Sequence, residues 1–350
     1  MIGTTTQLGE SLTCGACSTQ HQSKTSELLQ RAAESGMLAP SAYNTQPWQF
    51  RIVGETLEIH ADESRARPIA DPDGREMFLA CGAALENVRI ALRHLGRDVE
   101  IELLPDSARP RFVARVRLGR PRGAALTEAR FFTAIPLRRS NRARFFARPL
   151  PFGIAPSIEQ AIESAGAELR YVHQGTARDA LSQIIHEADR AQAYDAPFRL
   201  ELAEWLRPNK TERDDGMPGF AFGLSTPMAA LAPLALHTFA WDRLRVVCDD
   251  ELAREAPLVG VLMTQRDDPR AWITGGQGME RALLFATSQG LSAGVMNQAI
   301  QVKEARERVR RILGTELWPQ AILRFGFGQE AQPTPRRALR DVLVRAHTDH

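Results

Sequence analysis

Cysteine is scarce in this chain: four residues in 350, at positions 14, 17, 81 and 248. Cys14 and Cys17 form one C-x-x-C with His21 nearby, but no second pair completes the four ligands of a structural zinc, so no metal is expected. Cys81 and Cys248 read as small buried hydrophobes, and such usage suits a reducing cytoplasm. An excess of one charge is also missing. Forty-four Lys and Arg against 42 Asp and Glu leave a net charge of +2, which points to neither nucleic acid nor a membrane surface. No apolar run reaches membrane-spanning length. Residues 1–25 are rich in Thr, Ser, Gln and Gly, with no apolar core or basic leader, and read as a disordered tail rather than a signal peptide. The chain lacks H-x-x-x-H on a helical stretch, a G-x-S-x-G elbow, a Walker loop, and G-x-G-x-x-G after a strand. These absences argue against a zinc enzyme, a serine hydrolase, a P-loop protein and a resident Rossmann domain. What is present is an ordinary globular composition, 43% hydrophobic and 25% charged, long enough for about two domain-sized units.

The most informative stretch is Pro40-Ser41-Ala42-Tyr43-Asn44-Thr45-Gln46-Pro47-Trp48, between a helical run (27–37) and an alternating strand (49–53). Its prolines fix φ and remove two backbone donors, so the turn is stiff. Ser41, Asn44 and Gln46 then offer short hydrogen-bonding groups on a rigid loop, as a planar polar ligand requires. A plain proline-rich turn with an Asn cap has the same composition.

A weak internal repeat organises the rest. Gly82 to Gly96 and Gly276 to Gly290 each place a Gly, a Glu four residues on (Glu86, Glu280), an apolar-rich helix and a closing Gly. The closing glycines suit helix C′ positions. Each helix is followed later by a similar strand, 112–119 and 321–328, with Arg115 and Arg324 at matching places. Between the repeats, six arginines fall from Arg130 to Arg148 without an acidic residue. A solvated basic face is the default for such a run, yet Ser140 among Arg138, Arg139 and Arg142 also suits a phosphate, through forked guanidinium donors and a hydroxyl.

Together these segments resemble the FMN-dependent nitroreductases. The loop is similar to their P-S-x-x-N-x-Q-P-W motif, which lies against a flavin bound by the partner subunit. The arginine segment is similar to the R-R-S-x-R-x-F that opens such a domain and holds the FMN phosphate. Here it opens in mid-chain, and each half carries only one of the two elements. A fused pseudo-dimer with one complete site resembles the Acg branch of the superfamily, whose signatures recur at 71–75, 81–85, 135–140 and 333–337.

The resemblance implies one FMN per chain, between the halves, with NAD(P)H as a possible electron donor. It places Pro40, Ser41, Asn44 and Gln46 against the flavin and Arg138, Arg139, Ser140 and Arg142 on its phosphate. Arg336 matches the arginine of a C-terminal lysine-x-arginine pair, with Thr334 where the lysine would be. Asn297 and Gln298 lie in a loop, 290–298, that would line the flavin ring. An insertion around 205–228 (Lys210 to Pro227) would form a lid, with Met217, Phe220 and Phe222 turned inward. No catalytic side chain is named, since the flavin carries the chemistry.

The expected fold is α+β and nitroreductase-like. It has two fused halves, 26–128 and 129–350, each with a small antiparallel sheet covered by helices. Strands are expected at 49–53 and 56–61 through a Gly54-Glu55 turn, and at 99–103, 112–118, 168–172, 258–264 and 321–327. A monomer would suffice, because the family's dimer interface has become internal. The expected function is an FMN oxidoreductase passing hydride from NAD(P)H to a small electron-poor acceptor. The alternative is an FMN storage protein with a lid that excludes reductant.

Overall fold

Two 20-residue helices, Arg75–His94 and Pro269–Ser288, pack against each other at the centre of the molecule. Glycines let their backbones approach. A Cβ on Gly82 would lie 2.1 Å from the carbonyl oxygen of Ile273, and one on Gly276 would lie 2.0 Å from that of Leu79. These are the same contact seen from either helix. Gly82 and Gly276, Leu79 and Ile273, and both pairs of helix ends are each displaced by 194 positions. The repeat is therefore a pseudo-twofold crossing. Each helix runs out on a left-handed glycine, Gly96 at φ 79° and Gly290 at φ 69°.

The computed structural model describes residues 13–123, 125–238 and 249–344, and the side chains of all of these but 13–22 and 238. In chain order the first part comprises α1 (Thr13–Gly36), β1 (Trp48–Val53), β2 (Thr56–Ala61), α2 (Arg75–His94), β3 (Arg97–Leu103), β4 (Phe112–Pro121) and α3 (Leu126–Ala134). Then come α4 (Ile154–Glu163), β5 (Glu168–Tyr171), α5 (Thr176–Tyr194), α6 (Ala196–Trp205), β6 (Leu206–Arg207), β7 (Met217–Pro218) and α7 (Thr226–Thr238). After them follow α8 (Asp249–Glu255), β8 (Leu258–Thr264), α9 (Pro269–Ser288), β9 (Ser292–Met296), α10 (Gln298–Gln301), α11 (Lys303–Leu313), β10 (Trp318–Gly326), α12 (Leu339–Val342) and β11 (Leu343–Val344).

One sheet has the order β11-β1-β2-β4-β3, a second β5-β8-β10-β9, and β6 and β7 form a short parallel pair. The hairpin closes at Val53 opposite Thr56, leaving Gly54 and Glu55 as its turn. The apolar cluster around the crossing runs from Leu29, Trp48 and Phe50 through α2 and α9 to Leu323 and Phe325, and so reaches both large sheets.

Three expectations change. The first sheet is not purely antiparallel: β11, from the end of the chain, lies parallel to β1, with Phe50 opposite Leu343. Ser292–Met296, read as loop, is an edge strand on β10. Helix α1 begins at Thr13, so residues 13–25 of the expected tail are helical, while 1–12 lie outside the described residues. The side chains of Cys14, Cys17 and His21, and all of Cys248, also lie outside them. Cys81 is buried, and its thiol donates to the Pro47 carbonyl at 3.3 Å. Among the described residues, no helix is long and apolar enough to cross a membrane, and no cluster of His, Cys, Asp and Glu could hold a metal.

Candidate functional site

The Pro40–Trp48 loop leaves α1 in a conformation that side chains rarely adopt. Tyr43, Asn44 and Gln46 have φ of 51°, 54° and 52°. Each such residue costs on the order of 1 kcal/mol, which local contacts must offset. Buried hydrogen bonds do so. Asn44 Nδ2 donates to the carbonyls of Gly216 and Pro335, both at 3.0 Å, and its Oδ1 accepts from Arg336 Nη1 at 3.0 Å. Gln46 Nε2 donates to the Asp214 carbonyl at 2.7 Å, and its Oε1 accepts from the Arg337 amide at 2.9 Å. Ser41 Oγ accepts from the Gln46 amide at 2.9 Å. Asn44 and Gln46 thus knot three distant segments: this loop, the 214–216 insertion and the 335–337 strap.

Across the cleft, the arginine segment lies on the edge of β9. The Asn141 amide donates to the Ala293 carbonyl at 2.8 Å, and Ser140 pairs with Ala293 in a parallel bridge. The approach needs Gly294, where a Cβ would lie 2.5 Å from the Asn141 carbonyl oxygen. Arg324, buried in the middle of β10, holds the segment from below. Its Nη2 donates to the Asn141 carbonyl at 2.7 Å and its Nη1 to that of Ala143 at 3.0 Å.

Two adjoining cavities lie between these walls, of about 410 and 200 Å³, with Pro40, Ser41, Ser140, Arg142, Met217, Gln332 and Thr334 lining both. The smaller is also lined by Asn44, Arg138, Arg139 and Arg336. The larger takes in Tyr43, Glu76, Phe198, Asn297, Gln298 and Arg324, and is roofed by Met217, Phe220 and Phe222. Of the residues expected from sequence, all but Gln46 line one cavity or the other.

Charge is unevenly placed. Arg138 is 3% exposed, and its Nε, 3.7 Å from Glu280 Oε1, makes no hydrogen bond. Burial, with the repulsion of Arg139, lowers its affinity for a proton, and Glu280 only partly offsets this. Arg336 is pushed down to about 9 by burial and by the neighbouring Arg138 and Arg139. Its Nε is likewise buried without a partner. Burial raises the Glu280 carboxyl to about 7 against the pull of Arg138. The smaller cavity is therefore short of negative charge.

In the larger cavity, Glu76 opposes burial with strong partners. It is paired with Arg67, accepts from Asn297 Nδ2 at 2.8 Å and Gln301 Nε2 at 2.9 Å, and its carboxyl stays below the ordinary range. Gln298 Nε2 is taken by Asp249. The oxygens Asn297 Oδ1 and Gln298 Oε1 are buried acceptors without a donor.

Besides the bonds from Asn44 and Gln46, a carboxylate ties the insertion down. Asp215 accepts from Arg65 at 2.5 Å, Arg207 at 2.9 Å and Arg213 at 3.3 Å. Burial works against its charge, but Arg207 and Arg65 outweigh it and hold the carboxyl below the usual range.

The chain is 29% identical over 310 residues to "Putative NAD(P)H nitroreductase Rv3131" of Mycobacterium tuberculosis H37Rv, covering 87% of this chain and 88% of that one. It is 25% identical over 333 residues to "Putative NAD(P)H nitroreductase acg" of the same strain, covering 93% and 98%. The chain is thus similar to proteins named as NAD(P)H nitroreductases, acg among them. No family model matches it. A solved FMN-dependent nitroreductase, NfnB from Mycobacterium smegmatis in complex with NADPH, is 18% identical and superposes on 63% of this chain and 98% of its own, with a TM-score of 0.41.

Several residues of this nitroreductase-like cleft were not singled out as site residues from the sequence. Arg324 carried a signal, as the lone charge in the apolar run of β10. Gln301, and Arg67 and Glu280 behind the lining residues, carried none, because only the tertiary fold brings them there.

Proposed function

We propose that the chain is an FMN-dependent oxidoreductase that passes hydride from NAD(P)H, by way of one FMN per chain, to a small electron-poor acceptor. The observation that carries this reading is the smaller cavity, where the buried Arg138 lies beside the half-buried Arg139 and Arg336, mutually repelling cations that a phosphate would satisfy, next to a larger cavity of about 410 Å³. The residues fit the group. Arg138 and Arg336, each with an unbonded buried Nε, would hold the phosphate together with Arg139, Arg142 and Ser140. Asn297 Oδ1 and Gln298 Oε1 are unpaired acceptors for the N–H edge of a flavin, and Pro40 and Ser41 would close the opposite wall. The bound flavin would supply the redox chemistry, with the protein providing orientation and electrostatics. Met217, Phe220 and Phe222 would exclude water from the chamber. Each half, 26–128 and 129–350, contributes one wall, so a monomer would be sufficient and its partner a small molecule. The mycobacterial relatives are named as NAD(P)H nitroreductases, which supports the choice of donor.

The latched insertion favours a second reading, in which the chain stores FMN and the lid keeps reductant away. Anaerobic addition of NAD(P)H to the yellow protein separates the two. The enzyme reading expects the flavin absorbance to bleach within seconds, and an absorbance that falls only with dithionite would overturn it.

A further inference from the structure

Glu86 on α2 and Glu280 on α9 occupy equivalent places 194 positions apart, and both are fully buried. Their surroundings differ. Glu86 Oε1 accepts from Arg89 Nη2 at 2.5 Å and from Arg281 Nη1 at 2.9 Å, and its Oε2 accepts from Arg89 Nε at 2.9 Å. Neither oxygen of Glu280 accepts a hydrogen bond. The residue equivalent to Arg281 is Asn87, a neutral amide near enough to Glu280 to favour its charge but not aligned with it as a hydrogen bond. The cation within ion-pair range of Glu280 is Arg138, at 3.7 Å. A buried carboxylate left without hydrogen bonds is costly, and the fully paired Glu86 shows that the crossing can satisfy one.

Resting on the reading of the smaller cavity as a phosphate site, we infer that Glu280 is the internal counter-anion of that site. It holds Arg138 at the cavity floor before the phosphate arrives, and takes up a proton from solvent when the phosphate takes over Arg138. Two anions sharing one guanidinium in a dry place cannot both keep their charge cheaply. The charged groups acting on Glu280 are Arg138 from the segment after α3, Arg336 from the strap before α12, and Glu86 from α2. Burial has already raised its carboxyl to about 7, so a nearby phosphate raises it further. Binding then takes up a proton, and affinity falls as pH rises above 7. A phosphate monoester is already dianionic there, its second pKa being about 6. Arg336, held near 9, is about one-quarter deprotonated at pH 8.5, which changes affinity by less than about twofold across the window of pH 7–8.5. Across that window FMN affinity should fall about tenfold.

The test is calorimetric titration of the flavin-free protein with FMN at pH 7.5, in buffers of different ionisation enthalpy. The expected result is uptake of a sizeable fraction of one proton with FMN and none with riboflavin. Glu280→Gln should abolish the uptake and flatten FMN affinity to within about twofold from pH 7 to 8.5. Equal uptake in wild type and variant, or no difference between FMN and riboflavin in wild type, overturns the inference. The wild-type comparison decides the matter even if the variant does not fold. Inorganic sulfate, a dianion that does not titrate in this range, separates failure of the FMN reading from failure of this one. Uptake with sulfate but no binding of FMN would refute the cofactor and uphold Glu280's role, and sulfate binding without uptake would refute that role.

Discussion

Replacing Arg138 by Ala should separate binding of the phosphate from binding of the ring. Two unit charges about 4 Å apart interact by roughly 4 kcal/mol at an effective dielectric of 20. Arg138 is 3% exposed, so a phosphate seated on it would feel an attraction of this order, less the cost of desolvation. The loss should be ~2–4 kcal/mol, roughly a 30- to 900-fold rise in the Kd for FMN. Folding stability should change far less. Glu280, the one acid among the described residues within ion-pair range of Arg138, already sits at about 7 and protonates when its partner goes, at a cost well under ~1 kcal/mol at neutral pH. Riboflavin lacks the phosphate and should bind wild type and variant alike. The assay is quenching of flavin fluorescence with both ligands, beside a thermal melt of the free proteins. FMN binding at wild-type strength would refute the phosphate assignment. An equal loss of riboflavin would show that the effect lies in the fold rather than in the clamp.

Flavin released by heat should stand at one per chain, because the place equivalent to the clamp is filled by the Glu86, Arg89 and Arg281 ion pairs; a ratio near two would contradict the single site. Asp215→Asn removes the charge that ties Arg65 to Arg207, and stopped-flow reduction by NAD(P)H should become several-fold faster with dithionite reduction unchanged. Equal NAD(P)H rates would show that this latch does not limit access. Gly276→Ala drives a Cβ to 2.0 Å from the Leu79 carbonyl, where neither helix backbone can yield alone. A loss of ~3 kcal/mol and a melting temperature lower by about 5 °C or more are expected, and an unchanged melt would mean that the crossing is looser than its geometry.

Local chemistry made much of this protein legible in its sequence. The alternation of β1 and β2 and the two-residue turn between them follow from side-chain period and turn geometry, which neighbours in sequence specify. The spacing of Gly82, Glu86 and Gly96 against Gly276, Glu280 and Gly290 announced the duplication, since both helices must solve the same close-packing problem. Resemblance to a known family placed the loop at 40–48 and the arginines at 138–142 on opposite walls of one cleft.

Other features depend on contacts between residues far apart in the chain. The parallel seat of β11 beside β1 joins positions nearly three hundred apart, and a two-residue strand has no periodicity to reveal it. Asn44 and Gln46 looked like ligand contacts, but the fold spends most of their hydrogen bonds on the insertion and the strap, since buried amides take whatever partners surround them. Glu86 and Glu280 are the clearest case. Their sequence contexts are alike, yet one is neutralised by two arginines and the other is left beneath Arg138, because the charge of a buried carboxylate is set by what the tertiary structure places around it.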